Sequence, residues 1–355
     1  MMKNREEEDM KCLKIASLQQ IRVEEIEESK EKLKEDQIKI KINRVSLCGS
    51  DIKLYEGDYS GPCRYPLVFG HEWSGEVIEV SEGEEKFQVG DYVTGDCSRW
   101  CGECENCKKD KNICSNIDKF GITIDGYSRQ IVIAEKKYVY VSKQKLPHKV
   151  LALTEPFAVS LHALHSVQIE ELAKDAKILV IGCGVIGVAA YMFLTLKFGF
   201  ENVYITEKNE ERLNTMKSIF NDVVLKILSV GQNKGVENEY ASVYAGTGFD
   251  YIFDASGSVR GLDFAIEYAN PFGKISYIGM TEGDLKNTKL ITMKKLLLQG
   301  SIGGTGEFEE VISFMEHHQE LVAKTVTFEI DYDQADVAFE EMSKSPSNIK
   351  CQIRF

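Results

Sequence analysis

The sequence predicts an α/β chain in two parts, one a doubly wound parallel sheet with its helices, the other a β-rich domain. Three observations carry this reading. The apolar run 178–181 leads straight into Gly182, Gly184 and Gly187, and further short apolar runs recur at 203–206, 249–253 and 273–279. Such runs, with helical periodicity between them, fit strands buried on both faces. Residues 38–42 behave differently, because Ile38, Ile40 and Ile42 alternate with Lys39 and Lys41. That period of two marks a half-buried antiparallel strand. Between these parts, Cys101, Cys104, Cys107 and Cys114 crowd into fourteen residues.

Taken in order, residues 1–9 are polar and acidic, which suits an extension before the fold and not a secretory leader. Residues 10–30 read as a strand pair with Leu13, Ile15, Ile21 and Val23 as its apolar positions. After the alternating strand comes Cys48-Gly49-Ser50-Asp51, then a loop with Gly61-Pro62 and Pro66. Gly70-His71-Glu72 precedes a strand at 76–80, and a turn and strand follow at 88–94. Strands return at 122–141. Pro156 suits the first turn of a helix, and 157–167 has helical apolar spacing. The α/β part then runs strand by strand to 296–304, which ends in Gly-Gly. The last residues, 307–355, hold a helix and short strands, too few to fold alone, and are expected to pack back on the N-terminal domain. The expected division is 1–157 with 306–355 as one domain, carrying a cysteine lobe at 97–114, and 158–305 as the other.

Composition narrows the function. A net charge of −13 argues against nucleic acid or anionic membranes as partners. No apolar run is long enough to span a bilayer. Ten cysteines without an export signal point to metal or catalysis rather than disulfides, and to the cytoplasm.

The glycine spacing has a physical logic. Gly182 lets the chain turn sharply, Gly184 lets a pyrophosphate approach the backbone, and Gly187 lets the helix pack on the strand. The helix expected at 188–197 offers its N-terminal amides to that pyrophosphate, with Val185 and Ile186 in the turn and Ser256 after a later strand. Glu207 ends the second strand, twenty residues past Gly187, where a carboxylate binds ribose hydroxyls. Together these residues predict a dinucleotide site.

Two sets of side chains fit metals. Cys101, Cys104, Cys107 and Cys114 have the spacing of a closed four-thiolate zinc site, which stabilises a lobe and leaves no position for substrate. Cys48, His71, Glu72 and Glu155 are dispersed, but a thiolate, an imidazole and a carboxylate make a three-ligand zinc site with one open position. Singly, each has an ordinary structural explanation, such as a core histidine or a small apolar thiol.

Cys48-Gly49-Ser50-Asp51, Gly70-His71-Glu72, the four-cysteine lobe, Glu155-Pro156 and the glycine turn occur in an order that resembles the zinc-containing medium-chain alcohol/polyol dehydrogenase family, along residues 10–355. The resemblance implies a GroES-like catalytic domain, a doubly wound Rossmann domain, NAD, and two zinc ions per chain. It implies a catalytic zinc on Cys48 and His71, with Glu72 or Glu155 as third ligand, and Ser50 passing the alcohol proton outward. Glu207 matches the acid that favours NAD. The likeness is to sorbitol dehydrogenase-like enzymes, and more narrowly to dehydrogenases of cyclitols and aminocyclitols such as 2-deoxy-scyllo-inosamine. Hydride transfer between NAD and a secondary alcohol is the implied reaction, in a homodimer or homotetramer. A simple secondary alcohol or a hydroxy amino acid is the alternative substrate; a zinc-independent reductase, or a non-catalytic zinc- and NAD-binding member of the fold, is the alternative class. Two departures stand out. Six residues, not seven, separate the third and fourth lobe cysteines, which makes Cys97 a substitute ligand to consider. Lys53 occupies the place where many relatives end the proton relay on histidine.

Overall fold

The computed structural model describes residues 10–27, 32–220, 226–227, 239–280, 282–345 and 347–355. The fold consists of two compact units. One gathers the chain up to Glu155 with Phe308–Ser345 and Lys350–Phe355; the other holds Pro156–Glu307 with Pro346–Ile349.

The first unit is built on a seven-stranded sheet in the order Val139–Ser142, Tyr92–Gly95, Glu72–Val80, Gln37–Ser46, Lys350–Arg354, Val326–Asp331, with Ile131–Glu135 also pairing the central strand Gln37–Ser46. The alternation of that strand is realised: Ile38, Ile40 and Ile42 are buried, and Lys41 is exposed. They pack with Val45, Val77, Val93 and Trp73, whose ring stacks on Tyr127 at 4.3 Å between centroids. The C-terminal residues join the sheet in its middle, with Gln352 opposite Ser46 and Ile353 opposite Val45. Met10–Ser17, Gln20–Ile26 and Leu67–Val68 form a separate three-stranded sheet.

Two element boundaries differ from the sequence reading, and both matter for function. The strand expected at 76–80 begins at Glu72, which pairs with Ser46. Glu72 is therefore a fixed sheet residue and not part of a loop. Residues Gly49–Glu56 form a helix capped by Cys48, where no helix was expected. Its low amphipathicity hides it from periodicity, but Asp51 accepts the Cys48 amide at 2.8 Å, the short-range pattern that starts a helix.

The second unit is a six-stranded parallel sheet in the order Lys226–Ile227, Asn202–Thr206, Lys177–Ile181, Phe249–Asp254, Ala269–Tyr277, Leu297–Gly300. Strand order reverses about Lys177–Ile181, so the carboxyl end of that strand is the switch point where open α/β sheets bind ligands. The helix after the glycine turn runs Val185–Met192, continues as a π-helical turn over Phe193–Lys197, and so starts three residues before the expected 188. Gly187 lies inside it.

Candidate active site and metal centres

The second unit holds a cavity of about 600 Å³ at the switch point, lined by Gly182, Gly184, Glu207, Ser256, Arg260 and Phe264 among others. Gly182 has φ +97°, in the region that favours glycine. A Cβ on Gly187 would sit 1.9 Å from the Gly182 carbonyl oxygen, so close packing of helix on strand requires glycine there. Gly184 caps the helix with open space where a Cβ would stand. Glu207 is buried, and its two oxygens accept the amides of Cys183 and Asn209, each at 2.9 Å. Ser256 donates its amide to Asp254 at 2.9 Å. Val185 and Ile186 stand in the first helical turn and do not line the cavity. Arg260 and Phe264 escape sequence reasoning, because nothing in their spacing ties a helix after the fourth strand to the glycine turn.

In the first unit the four lobe thiols converge. Sγ–Sγ distances are 3.9 Å for Cys101–Cys107, 3.9 Å for Cys104–Cys114 and 3.5 Å for Cys101–Cys114. A tetrahedral zinc with Zn–S bonds of about 2.3 Å places its sulfurs about 3.8 Å apart, so this set fits the ion. Backbone amides already point at the sulfurs: Cys107 at Cys104, Asn116 at Cys114, and Cys101 at Cys114, at 3.3–3.4 Å. Hydrogen bonds from Ser115 pull the Cys104 thiol down to about 5, as a metal ligand requires. The six-residue spacing is accommodated by a 3₁₀ turn, Lys111–Ile113, whose N-cap Asp110 accepts the Asn112 amide. Cys97 stands elsewhere. It is buried, 3.4 Å from the Ser98 hydroxyl and hydrogen-bonded to Glu155, so it is no substitute for a lobe ligand.

The second metal-compatible set is Cys48, His71 and Glu72, whose donor atoms lie within 4.8 Å of one another. Local structure explains the convergence. Cys48 is fixed at the N-terminus of its helix, and Glu72 by its place opposite Ser46 in the sheet. Gly70, at φ +89°, turns the chain where a Cβ would meet Ser128 and Val45 at 2.6 Å. Asp51 is fully buried, with Oδ1 3.8 Å from His71 Nδ1, the arrangement that orients a metal-binding imidazole. At that distance the two atoms are not hydrogen-bonded, and neither has a hydrogen-bond partner among the described residues, nor has the buried Ser50 hydroxyl. Burial opposes charging His71, but Asp51 and the Cys48 thiol outweigh it and raise the imidazole to about 10. The Cys48 thiol and the carboxyls of Asp51, Glu72 and Glu155 surround the imidazole, a set that suits a divalent cation. Glu155 starts the helix Thr154–Ser166 and lies outside the compact three-donor set, though it interacts electrostatically with His71 and Glu72; burial pushes its carboxyl up. Lys53 is exposed.

Comparison with known proteins agrees with this geometry. Residues 34–145 match the alcohol dehydrogenase GroES-like domain, and residues 185–317 match the zinc-binding dehydrogenase model. The chain is 31% identical to D-arabitol-phosphate dehydrogenase of Enterococcus avium over 248 residues, covering 69% of this chain and 68% of that one. The chain belongs to the zinc-containing medium-chain alcohol/polyol dehydrogenase family. Sorbitol dehydrogenase of Halalkalibacterium halodurans is 28% identical, over 88% of this chain and 90% of that one. The 2R,3R-butanediol dehydrogenase of Bacillus subtilis superposes with a TM-score of 0.82 at 27% identity, covering 98% of this chain and 99% of that one. As a family member, the protein is a zinc-dependent, NAD-linked oxidoreductase. Among the described residues, no helix is long and apolar enough to cross a membrane.

Two residues of this dehydrogenase site were missing from the sequence reading. Asp51 had a signal, since it follows Cys48 by three residues, the spacing of a helix cap. Lys350 had a fainter one: a lone cation between Ile349 and Cys351 in a stretch that is otherwise apolar or neutral. Its ammonium lies 2.6 and 2.8 Å from the two oxygens of Glu72.

Proposed function

We propose that this dehydrogenase oxidises a secondary alcohol of a polyol, cyclitol or aminocyclitol to the ketone, and reduces the ketone in reverse. The observation that carries the reading is the convergence of Cys48, His71 and Glu72 two residues from the unpaired, buried hydroxyl of Ser50. Cys48, His71 and Glu72 would hold the catalytic zinc, with Glu155 as the neighbouring carboxylate that ligates or holds water beside it. Cys101, Cys104, Cys107 and Cys114 would hold the structural one. When bound, zinc supplies Lewis acidity at the substrate oxygen and NAD the hydride acceptor. Asp51 fixes the His71 ring. Ser50 accepts the hydroxyl proton and passes it to water or to a substrate group, since Lys53, where many relatives have the relay histidine, is exposed. Gly182, Gly184 and Gly187 shape the pyrophosphate turn, and Glu207 accepts the ribose hydroxyls on the lone pairs its two amide bonds leave free.

A substrate dense in hydroxyls is supported by the relatives, whose names include an arabitol phosphate, sorbitol and a vicinal butanediol. The buried acids of the pocket also suit a hydrogen-bonding or protonated substrate. Ten unpaired cysteines, four of them a zinc cluster, fit a reducing cytoplasm. The test is catalytic efficiency with NAD on sorbitol, inositols and an aminocyclitol against ethanol, 2-butanol and threonine. The polyol class should lead by at least about tenfold, or about 1.4 kcal/mol in the transition state. A clear lead for the simple alcohols or for threonine overturns the substrate assignment and leaves zinc and NAD in place.

A further inference from the structure

Lys350 is a buried ammonium group in contact with the metal-compatible set, and the reaction as described leaves it without a role. It reaches Glu72 Oε2 at 2.6 Å, Glu72 Oε1 at 2.8 Å and the Leu47 carbonyl at 2.9 Å, which uses all three of its protons. The Lys350 and Glu72 side chains are 2% and 1% exposed. Leu47 is the residue before Cys48, so one ammonium ties the approaches to two donors of the set. Cys48 and Glu155 face it as well.

Stability alone is a poor account of such a pair. Burying two charges costs several kcal/mol per ion, and an apolar pair of similar volume commonly serves the fold as well or better. Charge offers a better account. A divalent ion on a Cys48 thiolate and a Glu72 carboxylate is neutral as a group; Glu155 and Asp51 are further acidic groups beside it, and Lys350 is the cation that faces them. Without Lys350 the pocket is one unit more negative, which holds a cation more tightly and blunts its acidity. With it, both Glu72 oxygens are shared with an ammonium, and the carboxylate donates less to a metal.

We propose that Lys350 is a positioning residue that, through Glu72, sets the charge of the catalytic metal pocket and keeps the zinc acidic despite its carboxylate ligand. This rests on the zinc reading given above. The expected signature is one of charge. Lys350→Met should slow release of the catalytic zinc to a coloured chelator by at least about tenfold, while Lys350→Arg stays within about twofold of wild type. Glu72→Gln leaves the ammonium unpaired beside the metal and should speed release by at least about tenfold. Adding Lys350→Met to Glu72→Gln removes the cation at an unchanged set of ligands and should slow release by at least about tenfold relative to Glu72→Gln alone. The double variant removes both members of the buried pair, so it carries the test even if Lys350→Met alone fails to fold. Release from Lys350→Met as fast as wild type, or from the double variant as fast as from Glu72→Gln alone, overturns the proposal while the zinc reading stands. Wild-type protein holding only the lobe zinc overturns the zinc reading and this inference with it.

Discussion

Glu207 Oε2 accepts the backbone amide of Cys183 at 2.9 Å. The acid at the end of the second parallel strand is thereby joined to the middle of the glycine turn that ends the first. Its other oxygen accepts the amide of Asn209, which in turn caps the next helix by accepting the Arg212 amide at 2.8 Å. One carboxylate thus holds the shape of the glycine turn and lines the cavity at the switch point. Under the proposed function it would also bind the ribose, so recognition and architecture would meet at this residue.

Replacing Glu207 should therefore do two things at once. Glu207→Ser removes charge-assisted bonds to two amides, each worth about 1.5–3 kcal/mol, and leaves the Cys183 amide without its partner. It also removes the repulsion that a 2′-phosphate would meet, while Lys208, Arg212 and Arg260 remain at the cavity wall. The ratio of catalytic efficiencies, NAD over NADP, should fall by at least about tenfold, with NAD efficiency itself reduced. Steady-state kinetics with both cofactors and a melting curve check the two halves. An unchanged ratio would remove Glu207 from the cofactor site.

Gly187→Ala tests the turn from the other side. The added Cβ would lie 1.9 Å from the Gly182 carbonyl oxygen, and backbone cannot yield as a flexible side chain does. The helix Val185–Met192 must lift from the strand, and the cavity wall at Gly182 and Gly184 must shift with it. NAD affinity, read by titration of nucleotide fluorescence, should weaken by at least about a hundredfold, or about 2.7 kcal/mol. Gly184→Ala meets nothing within 4 Å, so the protein alone tolerates it, and any loss of affinity there reports a clash with the nucleotide.

These contrasts show what the sequence made legible. The four thiols and the glycine turn are local motifs, whose residues lie within a few positions of one another, and spacing alone located them. The alternation at Ile38, Ile40 and Ile42 identified a sheet strand because one face is buried and the other is not. Glu72 and Lys350 meet across 278 residues of sequence, because the C-terminal strand enters the middle of the N-terminal sheet. No periodicity encodes that pairing. Because Lys350 faces the carboxylates of the pocket, their charge alone does not select a substrate, and the case for a polyol rests on the relatives and on the polarity of the pocket. The helix Gly49–Glu56 was missed for a similar reason: its buried residues are only Asp51 and Leu54, too few to print a stripe.

The metal inventory is separable by mutation. Wild-type protein should carry two zinc ions per chain, and Cys48→Ala about one, with turnover abolished. Cys104→Ala should instead empty the lobe and lower stability by several kcal/mol, since the lobe's short strands and 3₁₀ turn have little apolar core of their own. Cys97→Ala should leave lobe zinc unchanged, because Cys97 stands with Glu155. Metal analysis of the four proteins decides; a wild type with one zinc ion, or loss of lobe zinc from Cys97→Ala, contradicts the assignment.

The last expectation concerns acid. In the second unit, Glu307 accepts from, or is charge-paired with, His162 Nδ1 at 3.2 Å and His165 Nδ1 at 3.0 Å, which ties both histidines of the helix Thr154–Ser166 to one carboxylate. Burial works to raise the Glu307 carboxyl, but the two histidines outweigh it and bring it down to about 2. A carboxyl whose folded value lies below its unfolded one contributes stability that is complete above the unfolded value and is lost as pH falls through the folded one. The window is therefore about pH 4.5 down to about 2. Because Glu307 is only partly buried, solvent screening leaves a contribution of about 1–2 kcal/mol. Glu307→Gln should melt below wild type at pH 6, and the gap should close as the pH is lowered through that window. A gap that persists undiminished at pH 2.5 would show that the glutamine disturbs packing, and that the charge of Glu307 is not what holds the helix.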